Sequence, residues 1–254
     1  MFVQVPNLPD SDAAIAAVSD TYPEIAEALR NRGIRTIEIS PFPQLSRPVC
    51  SHADMVLHHL GENQVILAAG NRALELELKQ AGFEVTVSNV CISNRYPQDV
   101  RMNAARVGDK LFAKQSALAP EILRYCEQHR ISVIAVNQGY AKCSTVVVNE
   151  RSVMTEDPSI AKVARSIGME VLKISAGYVK LPGYSYGFLG GACGMIGKNR
   201  LAFTGALDSH PDSKQIICFC RSRHVEPVAL TKGPLVDIGG ILTLKTKCGE
   251  EKPA

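Results

Sequence analysis

Residues 138–145, "QGYAKCST", place a cysteine where its thiol could act as a nucleophile. Cys143 follows Lys142, and a neighbouring ammonium group lowers the pKa of a thiol and so favours the reactive thiolate. A cysteine at the start of an apolar run is also typical of a small buried side chain. Both interpretations of Cys143, catalytic nucleophile and core packing, stay open.

A second group of reactive side chains lies in residues 48–55, "PVCSHADM". Cys50, His52 and Asp54 alternate along the chain, so in an extended segment they point to the same side. Such a trio could be the corner of a metal site, or a histidine whose tautomer an acid fixes. A histidine hydrogen-bonded only for structure is the commoner case. We predict a catalytic role for His52 and a binding role for Asp54, with no metal and no other cofactor.

Residues 182–194, "PGYSYGFLGGACG", have the glycine density of a phosphate-binding loop. They lack the Gly-Lys-Ser/Thr ending and the strand-to-helix context that such a loop requires. The pattern indicates a long loop whose glycines let the backbone approach a ligand or a neighbouring unit. Tyr184 and Tyr186 are predicted to line the entrance of the site.

The elements that position these residues repeat along the chain. The phrase Gly-Tyr-x-Lys occurs at 139–142 and at 177–180, each time after an amphipathic helical pattern and a β-rich run. The best-marked helix has Asp157 as its N-cap, Pro158 at its first position and Gly168 at its end. The same order of helix and strand appears three more times, in residues 22–39, 71–88 and 211–230.

Short turns at 61–63, 108–109, 149–151 and 197–199 each join two further strands as a hairpin. The unit is therefore ββαβ, repeated about five times, and we expect residues 2–5, "FVQV", to complete the short fifth sheet. We predict an α/β fold in which residues 1–254 form one domain, a five-fold pseudosymmetric propeller around a central channel. An open α/β sandwich is the alternative. In the ring, Asp54, Asp99, Tyr140 and Asp237 would lie near one end of the channel.

This order of elements resembles the pentein superfamily of guanidino-group-modifying enzymes over nearly the whole chain. The superfamily includes deiminases, dimethylarginine dimethylaminohydrolase and amidinotransferases, with a ribosome anti-association factor as a non-enzymatic relative. More closely, "HADM", "YPQDVRMN", "GYAKCS", "PGYSYGFLGG" and "DIGGILTL" are similar to an uncharacterised bacterial family of that fold. The resemblance implies that Asp54 and Asp99 grip a guanidinium group, for which a carboxylate has the matching bidentate geometry.

The same resemblance exposes two departures from the enzymes. Tyr140 stands where they have a catalytic histidine, and Leu244 stands near the place of their nucleophilic cysteine, with Cys248 about four residues later. A thiolate attacks the guanidino carbon and a histidine moves protons, so we expect this chain to lack arginine hydrolysis by the usual residues. Either the chemistry has moved to other residues, or the protein only binds.

Composition narrows the class of protein. The chain has 254 residues, a net charge of +3 and no run of basic residues, which argues against a nucleic-acid partner. Its start resembles no signal peptide, and its apolar runs are too short for a membrane span. We expect a cytoplasmic protein without a membrane partner, whose eight cysteines are free thiols.

The sequence thus predicts a polar central pocket for a small guanidino-like or amino-acid-like molecule. Tyr140, Lys142, Tyr184 and Asp237 are expected to bind it beside the two aspartates already named. An enzyme of this kind would be a hydrolase or transferase acting on C–N bonds, and the alternative is a non-catalytic binding or scaffolding protein. The sequence leaves open whether the protein forms a homo-oligomer.

Overall fold

The computed structural model describes residues 1–248. They contain six α-helices: α1 Pro23–Arg30, α2 Ala53–Val56, α3 Arg72–Gln80, α4 Pro120–Gln128, α5 Pro158–Ser166 and α6 Ser213–Arg221. Their strands are β1 Ala13–Ser19, β2 Arg35–Ile39, β3 Leu57–Gly61, β4 Gln64–Leu67, β5 Glu84–Val87, β6 Ala105–Val107, β7 Lys110–Ala113, β8 Ser132–Ala135, β9 Val146–Asn149, β10 Ser152–Thr155, β11 Glu170–Lys173, β12 Cys193–Gly197, β13 Arg200–Phe203, β14 Glu226–Ala229 and β15 Leu242–Thr246. None of these helices is both long and apolar enough to cross a bilayer.

The helix α5 starts and ends at the residues that the sequence marks. The Asp157 carboxylate accepts the backbone N–H groups of Ser159, at 2.8 Å, and Ile160, at 2.9 Å. Pro158 occupies the first turn, and Gly168 follows the helix with a φ of +78°. Capping satisfies N–H groups that the first turn leaves unpaired.

The five long helices are each amphipathic, with one buried face. Every one of them buries at least one branched aliphatic side chain completely: Leu29, Leu78, Ile122, Ile160 and Ile216. Burial of such a side chain contributes about 1.5–3 kcal/mol. The 3–4 spacing of apolar residues in the sequence therefore fixes which side of each helix packs on the sheets.

The strands form five three-stranded sheets of one design. In each sheet the first two strands run antiparallel, and a helix then returns the chain so that the third strand pairs in parallel with the second. The sheets are β3-β4-β5, β6-β7-β8, β9-β10-β11, β12-β13-β14 and β15-β1-β2. This α/β architecture is a five-fold pseudosymmetric propeller of ββαβ units. The predicted fold class is confirmed, and the open sandwich is wrong.

The fifth sheet joins the two ends of the chain. β15 pairs antiparallel with β1, with Ala16 opposite Thr243, and β1 pairs in parallel with β2. The expectation that residues 2–5 complete this sheet is wrong, because that segment contributes a single bridge between Phe2 and Lys245. The strand that closes the ring is the alanine-rich β1, and β14, which follows α6, belongs to the fourth sheet.

Candidate functional site

Each sheet is preceded by a short segment that leads into its first strand, and we call these five the head segments. They are residues 50–56, 98–104, 139–145, 188–192 and 235–241. Backbone hydrogen bonds tie neighbouring head segments together, from Gly191 N to Cys143 O at 2.9 Å and from Gly240 N to Gly191 O at 2.8 Å. Side chains from segments far apart in sequence are therefore brought into contact.

Two glycines allow this close approach. A Cβ atom on Gly191 would lie 2.0 Å from Asp237 Oδ1, and one on Gly239 would lie 2.4 Å from His52 Cβ. Gly239 also has a φ of +75°, where other residues are strained. Of the two roles predicted for glycine in residues 182–194, Gly191 has the second, because it lets a neighbouring unit pack against the backbone.

Cys143 lies against the carboxylate of Asp54. Its Sγ donates to Asp54 Oδ2 at 2.8 Å and accepts from Asn103 Nδ2 at 3.3 Å. The Asn103 side chain is itself held, since its Oδ1 accepts the backbone N–H of Lys142 at 2.7 Å. Each of Cys143 and Asp54 exposes only 2% of its surface.

Burial changes the acidity of both groups. It raises the pKa of Asp54 to about 6, although His52 and Lys142 pull the pKa the other way. Burial also raises the pKa of Cys143 well above its ordinary value, and the charges of Asp54 and Asp237 add to the rise. Burial and the two carboxylates therefore oppose the thiolate form of Cys143, which Lys142 alone would favour.

His52 is the least satisfied polar side chain of the site. It is 2% exposed, and neither ring nitrogen has a hydrogen-bond partner within residues 1–248. Its Nδ1 lies 3.7 Å from Asp237 Oδ1, which is too long for a hydrogen bond. Asp237 is anchored by the backbone N–H groups of Phe188, at 2.9 Å, and Gly239, at 3.0 Å. The commoner expectation, a hydrogen-bonded structural histidine, is wrong here.

The trio expected from sequence, Cys50 with His52 and Asp54, does not assemble. The Cys50 thiol donates to Arg47 O at 3.1 Å instead. Cys143 takes its place, since one potential ligand atom each from His52, Asp54 and Cys143 lie within 4.8 Å of one another.

Asp99 and Tyr140 form a separate pair. The Tyr140 hydroxyl donates to Asp99 Oδ2, and Asp99 Oδ1 has no partner in the described part of the chain. Burial, and next the hydrogen bond to Asp99, raise the pKa of Tyr140. One oxygen of Asp99 is thus already engaged.

The Lys142 ammonium is not hydrogen-bonded to Cys143 or to Asp54. Its ammonium donates to Gly190 O at 3.3 Å. Together with Asp54 it lines a small cavity of about 20 Å³.

A larger cavity of about 200 Å³, which we call the central pocket, lies beside Cys143. Its walls are mostly aromatic and aliphatic, and Tyr184 and Tyr186 are 48% and 40% exposed at its mouth. The lining consists of Val49, His52, Met55, Tyr140, Cys143, Leu181, Tyr184, Ser185, Tyr186, Phe188 and Asp237. Of the nine residues predicted for the site or its entrance, six line this pocket, and Asp54 adjoins it through Cys143.

Sequence reasoning missed Asn103, Phe188 and Glu156. Glu156, the residue directly after β10, accepts the backbone N–H of Leu189 at 2.9 Å and so holds the head segment that carries Phe188. Position within the repeat indicates which of the predicted site residues pair with each other. Asp54 and Cys143 each stand three residues before the first strand of their sheet, whereas Asp99 and Tyr140 each stand six residues before theirs.

Known proteins resemble this chain at the level of family and fold. The model of a family of unknown function, DUF6873, matches residues 17–242. No curated protein matches the sequence.

Several solved structures share the architecture. An amidinotransferase from Microseira wollei in the saxitoxin biosynthetic pathway is 13% identical, with 99% of both chains covered and a TM-score of 0.58. The inosamine-phosphate amidinotransferase from Streptomyces griseus is 10% identical over 97% of both chains, with a TM-score of 0.59. The agmatine deiminase from C. jejuni is 8% identical over 98% of both chains, with a TM-score of 0.54. At such identities the likeness extends to the fold alone, which is that of the pentein superfamily.

Proposed function

Since this chain belongs to the family of unknown function DUF6873 and has the pentein fold, we propose that its central pocket binds a small cation of the guanidino or amidino class. In the proposal the Cys143 thiol bonds to the central carbon of that group. The products are an amine and an amidino group carried on sulfur, which water or an acceptor amine then removes.

The charge and the walls of the central pocket carry the proposal. Asp237 lines it, and among the described residues no lysine or arginine does. Tyr140 and Phe188, with ring centroids 6.3 Å apart, offer faces to which a cation is attracted. The volume of about 200 Å³ lies below the range of about 300–1,000 Å³ typical of drug-sized ligands, which favours a metabolite of amino-acid size.

A bound cation supplies the positive charge that the described lining of the pocket does not provide. Positive charge next to the sulfur favours the thiolate and offsets the burial that raises the thiol pKa. As the S–C bond forms, the thiol proton passes to Asp54 Oδ2, 2.8 Å away, and from there to the nitrogen that leaves when the C–N bond breaks. His52, whose ring nitrogens have no hydrogen-bond partner among the described residues, can accept a proton from the water or amine that releases the sulfur.

Two alkylating reagents of nearly equal size test this proposal. Chloroacetamidine carries an amidinium cation and chloroacetamide is neutral. Peptide mapping after brief exposure compares the labelling of Cys143 with that of the exposed Cys218, which serves as the internal reference. We expect the cationic reagent to favour Cys143 by about tenfold or more over the neutral one, the factor that one unit of thiol pKa gives.

Two further measurements complete the test. Excess agmatine should slow labelling of Cys143 and leave Cys218 unchanged, and D237N should weaken the preference for the cation. If the ratio of labelling by chloroacetamidine to labelling by chloroacetamide is the same at Cys143 as at Cys218, recognition of a cation is refuted.

Non-catalytic binding is the second candidate, and it is favoured because Cys143 exposes only 2% of its surface. In that case agmatine raises the melting temperature of wild type and C143S alike, while chloroacetamidine leaves Cys143 unlabelled.

A further inference from the structure

His52, Asp54 and Cys143 come from two head segments that are 89 residues apart, yet they present three different metal-binding atoms to one point. An imidazole nitrogen, a carboxylate oxygen and a thiol sulfur lie within 4.8 Å of one another. In tetrahedral zinc sites, bond lengths of about 2.0 Å to nitrogen or oxygen and about 2.3 Å to sulfur place the ligand atoms about 3.5 Å apart. Movements of about an ångström would bring the three side chains to that spacing.

The buried imidazole of His52 has hydrogen-bonding capacity that no described residue uses. A buried polar atom without a partner costs free energy, and His52 has two such atoms among residues 1–248. Asp54 Oδ1 is a third. A cation between the imidazole and Asp54 would use one nitrogen and one oxygen, and the second nitrogen could then donate to Asp237.

The residues around His52 and Cys143 are also of the kinds that support the ligands of a metal site. Metal-binding histidines characteristically donate their other N–H to a carboxylate, and Asp237 Oδ1 lies 3.7 Å from His52 Nδ1. Two backbone N–H groups fix Asp237 in place. Asn103 Nδ2 donates to Cys143 Sγ, which suits a metal-bound thiolate.

Formal charge favours a divalent ion. With Cys143 as a thiolate, Asp54 and Asp237 as carboxylates and Lys142 as an ammonium, the cluster carries a net charge of −2, which a divalent cation neutralises. The combination of thiolate, imidazole and carboxylate suits Zn²⁺ among the common divalent ions.

We propose that His52, Asp54 and Cys143 bind one Zn²⁺, with the fourth coordination position open to the central pocket. Binding forms a Zn–S bond and releases the Cys143 proton to solvent. The site needs only these side chains, so it does not rest on the proposed reaction with guanidino compounds. It does engage the same sulfur, and Zn²⁺ would therefore block that reaction.

Titration of the chelator-treated full-length protein with ZnCl₂ against a chromophoric zinc indicator tests the site. We expect one high-affinity Zn²⁺ per chain in wild type and a loss of at least about tenfold in affinity in C143S, H52Q and D54N. C50S is the matched control, because Cys50 belongs to the sequence pattern but not to the site, and it should bind as wild type does. Melting curves of the metal-free variants show whether each is folded.

Cobalt gives a spectroscopic readout that a structural role would not produce. Co²⁺ added to wild type should give a thiolate-to-cobalt charge-transfer band in the near ultraviolet, which C143S loses and C50S keeps. Absence of zinc binding in wild type would overturn the proposal, as would unchanged affinity in folded C143S or an equal loss in C50S.

The two proposals fail separately. Zinc binding that depends on Cys143, without any preference of Cys143 for chloroacetamidine in the presence of EDTA, would remove the proposed function and leave the metal site. The reverse pattern would remove the metal site alone.

Discussion

Replacing Glu156 with glutamine tests how strongly the fold opposes a buried charge beside the head segment that carries Phe188. The Glu156 side chain is almost entirely buried: Oε1 accepts from Leu189 N, and Oε2 has no partner within residues 1–248. Burial raises the pKa of this carboxyl to about 8, and the charges of Asp237 and Asp157 add to the rise. Glutamine keeps the shape and the accepting oxygen but cannot ionise.

The sign of the effect follows from proton linkage. Between the ordinary glutamate pKa of 4.5 and the folded value of about 8, the folded protein holds a proton that the unfolded chain has lost. The free energy of unfolding therefore falls as the pH rises through this window, by about 1.4 kcal/mol per pH unit from this group. From pH 5 to pH 8 the upper limit is about 4 kcal/mol, and above pH 8 the effect levels off.

Urea unfolding of E156Q and wild type at pH 5 and pH 8 measures this difference. The chain contains no tryptophan, so far-ultraviolet circular dichroism is the signal. Other titrating groups are common to both proteins and cancel on subtraction, so E156Q should gain stability relative to wild type as the pH rises. E127Q removes a carboxylate from the exposed surface of α4 and reports the effect of net charge alone. If the E156Q advantage is the same at both pH values, Glu156 is not held neutral by burial.

Three backbone substitutions give further tests, measured by urea unfolding. Gly191→Ala should destabilise by about 1–3 kcal/mol or more, because its Cβ would overlap Asp237 Oδ1; a neutral result would mean that the head segments can separate freely. Gly168→Ala should cost about 1–2 kcal/mol from its φ of +78° alone, since no atom of residues 1–248 lies within 4 Å of the added carbon. Arg130, after α4, has a φ of +55°, so Arg130→Gly should gain up to about 1 kcal/mol once the entropy of glycine is subtracted from the relieved strain. A loss of stability in Arg130→Gly would contradict this account of helix ends.

The ring could be predicted because short-range sequence signals within each unit define its helices and strands. Apolar spacing, turn residues and caps such as Asp157 act over a few residues, and five similar units supply the same evidence repeatedly. The prediction that residues 2–5, and not β1, complete the fifth sheet was wrong because β1 lacks such local signals. "AAIAAVS" is rich in alanine, which favours strands weakly, so pairing with β2 and β15 imposes the strand on a segment with little preference of its own.

The positions of the site residues could be predicted better than their contacts. The repeat places Asp54, Asp99, Tyr140 and Asp237 in head segments, and all four lie there. The side chains that touch are those that lie the same number of residues before the first strand of their sheets, either three or six. Asp54 therefore meets Cys143, and Asp99 meets Tyr140.

Lys142 shows why adjacency in sequence is a poor guide to the chemistry of Cys143. Consecutive side chains in a non-helical segment diverge, and the Lys142 ammonium reaches Gly190 O instead of the sulfur. The thiol is governed by burial and by carboxylates from distant head segments, both of which oppose its ionisation. The carboxylates of Asp54 and Asp237 thus oppose ionisation of the Cys143 thiol, and the lining of the central pocket within residues 1–248 contains no lysine or arginine. A guanidinium group and Zn²⁺ are two ways of supplying that charge from outside the chain, so competition between agmatine and zinc for Cys143 is the consequence that the two proposals share.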